Sequence, residues 1–551
     1  MTDAHVRYIG GESGHRSFFG GTHSKSRIVF LALFAVAGLI GTPLLGWPAL
    51  AGAALGVGVT LIATVRTHRG SIADRRRVSR RWKARVNAGT DRFTPYTDEA
   101  WDAAQAAAEQ ARGRVAKWET SRDLAAIRAL PDGADGMGWL QSGRSMPGVA
   151  WHAPMGEQEY LSVVFSVTGQ LRGIEAPTVL NRAASAWGGF LAARAAPASL
   201  ARRAQTVTRI LPADSALQEF WVLASLDHNV PEQLAGQYEE AQRSYADVIR
   251  LASAGAMVQR HYVTIVWPLS PAFRDTAAKY ADGRAGWRIL MSQEIAAAER
   301  GLADARMGQV QALTARQVVG MMLHQQNPSR PIDMIAGIDP ARPGLPSHDE
   351  LSAHVVDDVD PLDDEPVQWW HRTARIVPDS MATAGRTPLW TLDLLIGSQL
   401  QVMRTVSFHH ELVPAAEAKA AARSDLVRDS AEVLSRRQAG QIDVGDTQAA
   451  MSAAQRRAKD LVAGSNHHGD NWVGYITISA RTRTQLGQAS RQLADLCSNA
   501  LGIEQLDWQD SYQAAASGTT WPIGRGIAPS STSLSARLYT GLAGTTDKEA
   551  L

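Results

Sequence analysis

Two adjacent histidine pairs, His409-His410 and His467-His468, are by type the residues of this 551-residue chain best suited to hold a metal. Neither has the H-E-x-x-H spacing that puts two imidazoles on one helix face, and neighbours on a strand point to opposite faces. They read as surface or core histidines. The stretch SGTTWPIGRG, Ser517 to Gly526, imitates a phosphate loop. It carries Arg525 where such a loop needs lysine, and it lacks the Ser or Thr that would hold magnesium. No glycine in the chain is followed by lysine, so nucleotide hydrolysis is not expected. No G-x-S-x-G nucleophile elbow occurs. Cys497, the single cysteine, lies on the apolar face of LADLCSNALG and reads as core, and alone it can form neither an intramolecular disulfide nor a thiolate cluster. Trp369-Trp370 and Trp390 could stack bases, but no basic groove accompanies them and they read as packing. The expectation is a chain without catalytic, cofactor-binding or metal-binding residues, and not an enzyme.

The elements that would position any site begin with an uncharged run of 38 residues, Ile28 to Val65, bounded by Arg27 and Arg66. A bilayer core of roughly 30 Å takes about 20 helical residues, so the run predicts two transmembrane helices, 28–45 and 49–65. Gly46, Trp47 and Pro48 supply the membrane turn, since Pro breaks the helical ladder, Gly permits the bend and Trp prefers the interface. Gly52 and Gly56 form a small-xxx-small pair for helix packing. A signal peptide would need a single shorter apolar core, and the second apolar half argues against it. Lys25 and Arg27 before the first span, and Arg66, Arg69, Arg75, Arg76, Arg77, Arg80 and Arg81 after the second, set the topology. They predict a multi-pass plasma-membrane protein with both termini cytoplasmic and membrane lipid as a partner. The basic cluster reads first as a topology signal, with anionic lipid or nucleic acid as the sharper reading. The net charge of +2 gives no overall field toward nucleic acid, so that contact is expected only indirectly or weakly.

The remaining chain, 45% hydrophobic and 20% charged when the whole is counted, has an ordinary globular balance. Asp98 to Ala126 reads as helical, and the glycine-rich LPDGADGMGWLQSGRSMPG reads as a linker. EYLSVVFSVTGQL, AQTVTRIL and QRHYVTIVWPL read as strands, with helices at APTVLNRAASAWGGFLAARAA, Pro231 to Ala254, Gly286 to Ala303 and Ala315 to Gln325. The helix from Pro231 carries Tyr238, Tyr245 and Val248 along one face. Asp349 to Glu365 holds eight acidic residues and no basic one, and reads as a solvated linker. QVMRTVSFHHELVP and NWVGYITISA follow as strands, separated by Ala- and Arg-rich helices, Ala416 to Gln438 and Asp446 to Val462, that read as a pair standing off the sheet. Thr484 to Ala500 reads as a helix and IEQLDWQ as a closing strand. The expected organisation is a cytoplasmic arm, 1–27; a transmembrane hairpin, 28–65; a basic juxtamembrane segment, helix and linker, 66–150; a first α+β domain, 151–345; an acidic linker, 346–370; and a second α+β domain with a protruding helical pair, 371–551. Each α+β domain is expected to have a ferredoxin-like, split βαβ form.

Four stretches together carry a resemblance. They are YIGGESGHRSFFGG, the apolar hairpin, QRSYADVIRLASAGAMVQRHYVTIVW and LDWQDSYQAAASGTTWPIGRG. They resemble an actinobacterial membrane-protein family of type IV secretion and conjugation loci. In that family a PrgI-like hairpin is joined to a region similar to the amino-terminal domain of the TraC-type secretion ATPase. The resemblance implies a non-enzymatic inner-membrane scaffold of a conjugative DNA-transfer apparatus, holding a separate hexameric ATPase among other secretion-complex subunits and able to form homo-oligomers. No catalytic residue carries over, because the phosphate-loop motif is absent. A type VII secretion membrane subunit is the alternative, on architecture alone.

Overall fold

The computed structural model describes residues 7–9, 25–64 and 72–526, with short breaks and without most of 214–229 and 424–466. Strand β1 (Arg7–Ile9) pairs antiparallel with a later strand, and five helices follow it: α1 (Lys25–Leu45), α2 (Trp47–Thr64), α3 (Ile72–Ala88), α4 (Asp98–Gln110) and α5 (Arg114–Arg128). The α4 N-terminus is closed by Thr97, whose hydroxyl accepts from the Ala100 N–H at 3.1 Å, with Asp98 and Glu99 in the first turn.

α1 and α2 do not form the transmembrane hairpin expected from the sequence. Among the described residues no helix is long and apolar enough to cross a membrane. The expectations of a membrane protein, of plasma-membrane localisation with cytoplasmic termini and of a membrane turn fall with it. What the run forms is a tight helical hairpin. Gly46 sits at φ +66°, a left-handed conformation that glycine reaches without a Cβ clash.

The rest of the described chain is an α+β protein built on one 12-stranded sheet. A hairpin, β2 (Met137–Gln141) and β3 (Val149–His152), leads into β4 (Tyr160–Val167). Then come α6 (Pro177–Ala195), β5 (Arg203–Pro212), α7 (Glu232–Ser253) and β6 (Met257–Pro268). The half closes with α8 (Pro271–Ala278), α9 (Gly283–Asp304), β7 (Val310–Ala312) and α10 (Ala315–Gln326). A second hairpin, β8 (His348–Glu350) and β9 (Ala353–Val359), then leads into β10 (Pro366–Ile376), β11 (Ala384–Arg386), the one-turn α11 (Leu392–Leu395) and β12 (Met403–Val413). The chain continues through β13 (Gly469–Ala480), α12 (Arg483–Leu501), β14 (Asp507–Trp508) and α13 (Gln513–Ser517).

The strand order β2-β3-β4-β6-β5-β12-β13-β10-β9-β8, with β7 on β4 and β14 on β10, reads the same from both ends. Leaving aside α6, α7 and α8 in the first half and β11 and α11 in the second, each half runs hairpin, strand, strand, strand, helix, short strand, helix, and the spatial order of the last four of these strands is ferredoxin-like. The registers agree residue by residue. Val164 pairs with Thr264 and Phe165 with Ala312; Thr373 pairs with Thr477 and Ala374 with Trp508. Tyr262 pairs with Val207 and Tyr475 with Ser407, while Val207 and Ser407 pair with each other. A pseudo-two-fold axis therefore passes through the Val207–Ser407 pair, making Tyr262-Val263-Thr264-Ile265 equivalent to Tyr475-Ile476-Thr477-Ile478.

Two readings of the sequence change at this point. The glycine-rich stretch after α5 is not only a linker, because it contains β2 and ends where β3 begins. The acidic stretch within 346–370 contains β9, whose Val355 and Val356 are almost wholly buried while Asp357 is exposed. The predicted helical pair after β12 lies largely outside the described residues.

One face of the sheet is apolar across both halves. Phe165, Val167, Val263, Ile265 and Trp267 pack under α9 through Leu290, Met291, Ile295 and Leu302. Their counterparts Ala374, Ile376, Ile476, Ile478 and Ala480 pack under α12 through Leu486, Leu493 and Cys497. Alternation along each strand sends every second side chain to the opposite face, where the halves diverge.

Candidate functional site

On that opposite face the first half is apolar around Val164, Val207 and Tyr262, with Ser162, Gln205, Arg209 and Thr264 buried beside them. Val164, Val207 and Tyr262 lie against Val318 and Met322 of α10 and against Trp521. A reciprocal cap of Thr314 and Gln317 starts α10. In the second half the corresponding face is a buried polar seam, covered by α13 and the chain from Ser517 to Gly526. Gln205 Nε2 donates to Ser407 Oγ at 2.9 Å and to the Trp521 carbonyl at 2.9 Å, while its Oε1 accepts from the Gly524 N–H at 2.8 Å. Thr477 Oγ1 meets the hydroxyls of Thr373 and Thr520, each at 2.8 Å, and the Thr373 N–H donates to Gln513 Oε1 at 2.7 Å. Tyr475 donates from its hydroxyl to the Gly526 carbonyl at 2.8 Å. The phosphate-loop imitation is thus a strap whose backbone satisfies the sheet's polar side chains, and Arg525 is tied to Asp135.

Four serine–histidine pairs lie in this interior: His152–Ser162 at 2.8 Å, His354–Ser517 at 2.9 Å, His371–Ser479 at 2.8 Å and His409–Ser407 at 3.1 Å. Burial pushes His371 down to about 4 and His409 down to about 3, and holds His152 well below the usual imidazole range. His371 donates from Nε2 to the Gln326 carbonyl at 2.8 Å, and His409 from Nε2 to the Thr519 carbonyl at 2.8 Å. These bonds fix neutral tautomers. Each of the four histidines is at most 2% exposed. A nucleophile also needs an approach for substrate, and side chains this deeply buried offer none.

Arg209, 1% exposed, donates from Nη2 to His324 Nδ1 at 3.0 Å, while its Nε and Nη1 have no protein partner among the described residues. Burial lowers the guanidinium to about 10 and holds His324 well below the imidazole range. Cys497 is fully buried in the α12 core and its thiol is pushed up to about 12 by burial, which makes it unreactive.

The histidine pairs singled out in the sequence are separated as strand geometry requires. His409 enters the seam; His410 faces the other way, pairs with Asp470 at 2.8 Å and lies edge-on to Trp187. His468 Nδ1 accepts from the Ala415 N–H at 3.1 Å, and His467 Nδ1 lies 2.9 Å from the Asp460 carbonyl. Among the described residues no cluster of His, Cys, Asp and Glu could hold a metal. Trp369 is buried and donates to Ser329 at 3.2 Å, Trp370 donates to Gln368 at 2.9 Å, and Trp390 lies edge-on to Phe408.

In the amino-terminal hairpin Trp47 is 81% exposed beside Gly46 and Pro48. Gly56 does serve close packing, since a Cβ there would stand 2.5 Å from Phe34. Gly52 does not, because its surroundings are open. Gly38 against Ala53 is the second close approach, and a heptad-independent glycine on the first helix is what a motif search along the second missed. Lys25 and Arg27 lie in α1, and Arg75, Arg76, Arg77, Arg80 and Arg81 lie in α3, where Arg76 and Arg80 are exposed. Arg66 and Arg69 lie outside the described residues.

Among the described residues α7 also exposes apolar side chains. The sequence-predicted face of Tyr238, Tyr245 and Val248 is present, flanked by Leu234 and Leu251; Val248 is 58% and Leu251 72% exposed. Gln218 donates from Nε2 to the Tyr245 hydroxyl. No family model matches the chain, and no curated protein matches it.

Proposed function

We propose that this chain is a non-enzymatic scaffold that docks a separate hexameric ATPase of a conjugative, type IV-like secretion apparatus. The apolar stripe of α7 carries the reading. Antiparallel neighbours such as β5 and β6 can be joined by a two-residue turn, yet here the connection runs from Pro212 to Met257. The sheet does not need α7, and the face of Leu234, Tyr245, Val248 and Leu251 is not used to cover it. A helix with an exposed apolar face, here Leu234, Val248 and Leu251, is the recurring form of a helix-in-groove contact. The resemblance to the TraC-type amino-terminal region supplies the identity of the partner, and the missing phosphate-loop motif assigns the motor to that partner.

The test is affinity purification of the tagged full chain from its own cells, compared with the double variant Val248→Glu and Leu251→Glu. A phosphate-loop ATPase should be recovered with the unsubstituted chain and fall by about tenfold or more with the variant. Recovery of no such ATPase, or equal recovery with both chains, overturns the proposal.

A further inference from the structure

A cleft of about 240 Å³ opens between the end of α5, the extended segment before α4 and the loop around Gly344. Its wall is apolar: Phe93, Ile127 and Leu345, the last two 6% and 1% exposed. Tyr96, Arg128 and Arg342 complete the lining. The backbone around it is tied on both sides, by the Thr94 N–H to the Ala126 carbonyl at 3.1 Å and by the Trp139 indole N–H to the Pro340 carbonyl at 2.9 Å. Gly344 has φ +62°, and a Cβ there would come within 3.0 Å of the Tyr96 carbonyl.

The two guanidiniums share one indole. Arg128 stands 4.7 Å and Arg342 5.6 Å from the Trp101 ring, and Arg342 is also 5.2 Å from the Tyr96 ring. Arg342 donates to the Tyr96 hydroxyl at 2.9 Å, and that hydroxyl donates on to Asp98 at 3.0 Å. The neighbouring arginines are neutralised directly, Arg122 by Asp91 and Arg92 by Asp123 at 3.2 Å. Arg128 and Arg342 have no ion-pair partner among the described residues. Two like charges on one aromatic platform repel, and stacking holds both in place with donors left over for an anion.

We infer that this cleft binds a small organic carboxylate with an aromatic or branched apolar body. The carboxylate would lie between the Arg128 and Arg342 guanidiniums and the apolar body against Phe93, Ile127 and Leu345. Planar guanidiniums match a carboxylate's two oxygens, which favours this anion. The volume lies below the roughly 300–1,000 Å³ of drug-sized ligand sites, which limits the ligand to a small acid. The site is independent of the α7 surface.

Fluorine NMR of 4-fluorobenzoate with the full chain tests the assignment, with neutral 4-fluorobenzamide as the control. Saturable line broadening of the acid, absent for the amide and weakened by about tenfold or more in Arg128→Gln and in Arg342→Gln, is the expected result. Unchanged thermal melting of both variants would place the loss in the cleft and not in folding. No saturable binding of the acid, equal binding of the amide, or unsubstituted affinity in both variants overturns the inference.

Discussion

Thr264 and Thr477 occupy the same position in the two halves of the sheet, and their hydroxyls meet opposite fates. Thr477 Oγ1 bonds to two further threonines, whereas Thr264 Oγ1 is fully buried without a partner among the described residues. Around them Val164 and Val207 in the first half stand where Thr373 and Ser407 stand in the second. The apolar face that carries α9 and α12 is filled alike in both halves. The strand registers and that shared face suffice to keep the topology, while the other face is filled by whatever covers it. A full helix with its own apolar side covers the first half; a strap offering backbone carbonyls covers the second. Polar strand residues follow the strap, because a buried hydroxyl or amide costs free energy unless it is hydrogen-bonded.

The comparison can be broken most severely at Trp521, which is fully buried where the strap crosses toward the first half. Trp521→Ala should cost about 3–5 kcal/mol by urea unfolding, since cavity and transfer losses add. An effect below about 1 kcal/mol would show that the strap is not integral to the sheet.

The pH response comes next. His371 and His409 have folded-state values of about 4 and about 3, below the 6.5 of an unperturbed imidazole. The unfolded chain therefore binds protons that the folded chain does not as the pH falls through 6.5. Stability should be at its full value above that point and decline toward pH 4, by about 1.4 kcal/mol per pH unit for each histidine. Replacing His409 by Gln should shallow the slope measured between pH 6.5 and pH 5, and an unchanged slope would remove it from the account.

The two threonines sharpen the comparison. Thr477→Val leaves two buried hydroxyls short of a partner and should cost about 1–3 kcal/mol. Thr264→Val removes an unbonded hydroxyl and should fall between neutral and a gain of about 1 kcal/mol. Equal losses at both positions would contradict the difference drawn between the faces.

Much of this architecture was legible in particular residues. The β-branched run of HYVTIVWP and the alternation of NWVGYITISA mark β6 and β13, and Pro177 marks the start of α6. Thr314 and Gln317 give α10 its capping box. The α+β class was readable from strand–helix order. The repeat itself was not, because the halves agree in type only over short stretches such as Tyr-Val-Thr-Ile and Tyr-Ile-Thr-Ile, and hydrogen-bond register exposes the rest. β9 was hidden by Asp357 and Asp358, which colour the segment acidic although His354, Val355 and Val356 are buried. The apolar run near the amino terminus was read by length as two spans; the described helices form a hairpin held by Gly38 and Gly56, and none meets the length and apolarity of a membrane crossing. The Arg128–Arg342 cleft had no sequence signal, since Tyr96, Trp101 and Arg342 meet only on folding.

Amide hydrogen exchange on residues 203–212 and 403–413 probes the junction on which the whole arrangement turns. β5 and β12 are the edge strands of their own halves and become central only by pairing with each other. If the halves form one sheet, these amides should exchange as slowly as those of β6 and β13, within about 1 kcal/mol in opening free energy, while β2 and β8 exchange faster. Rapid exchange confined to β5 and β12, with β6 and β13 still protected, would show two independent units and contradict the continuous sheet.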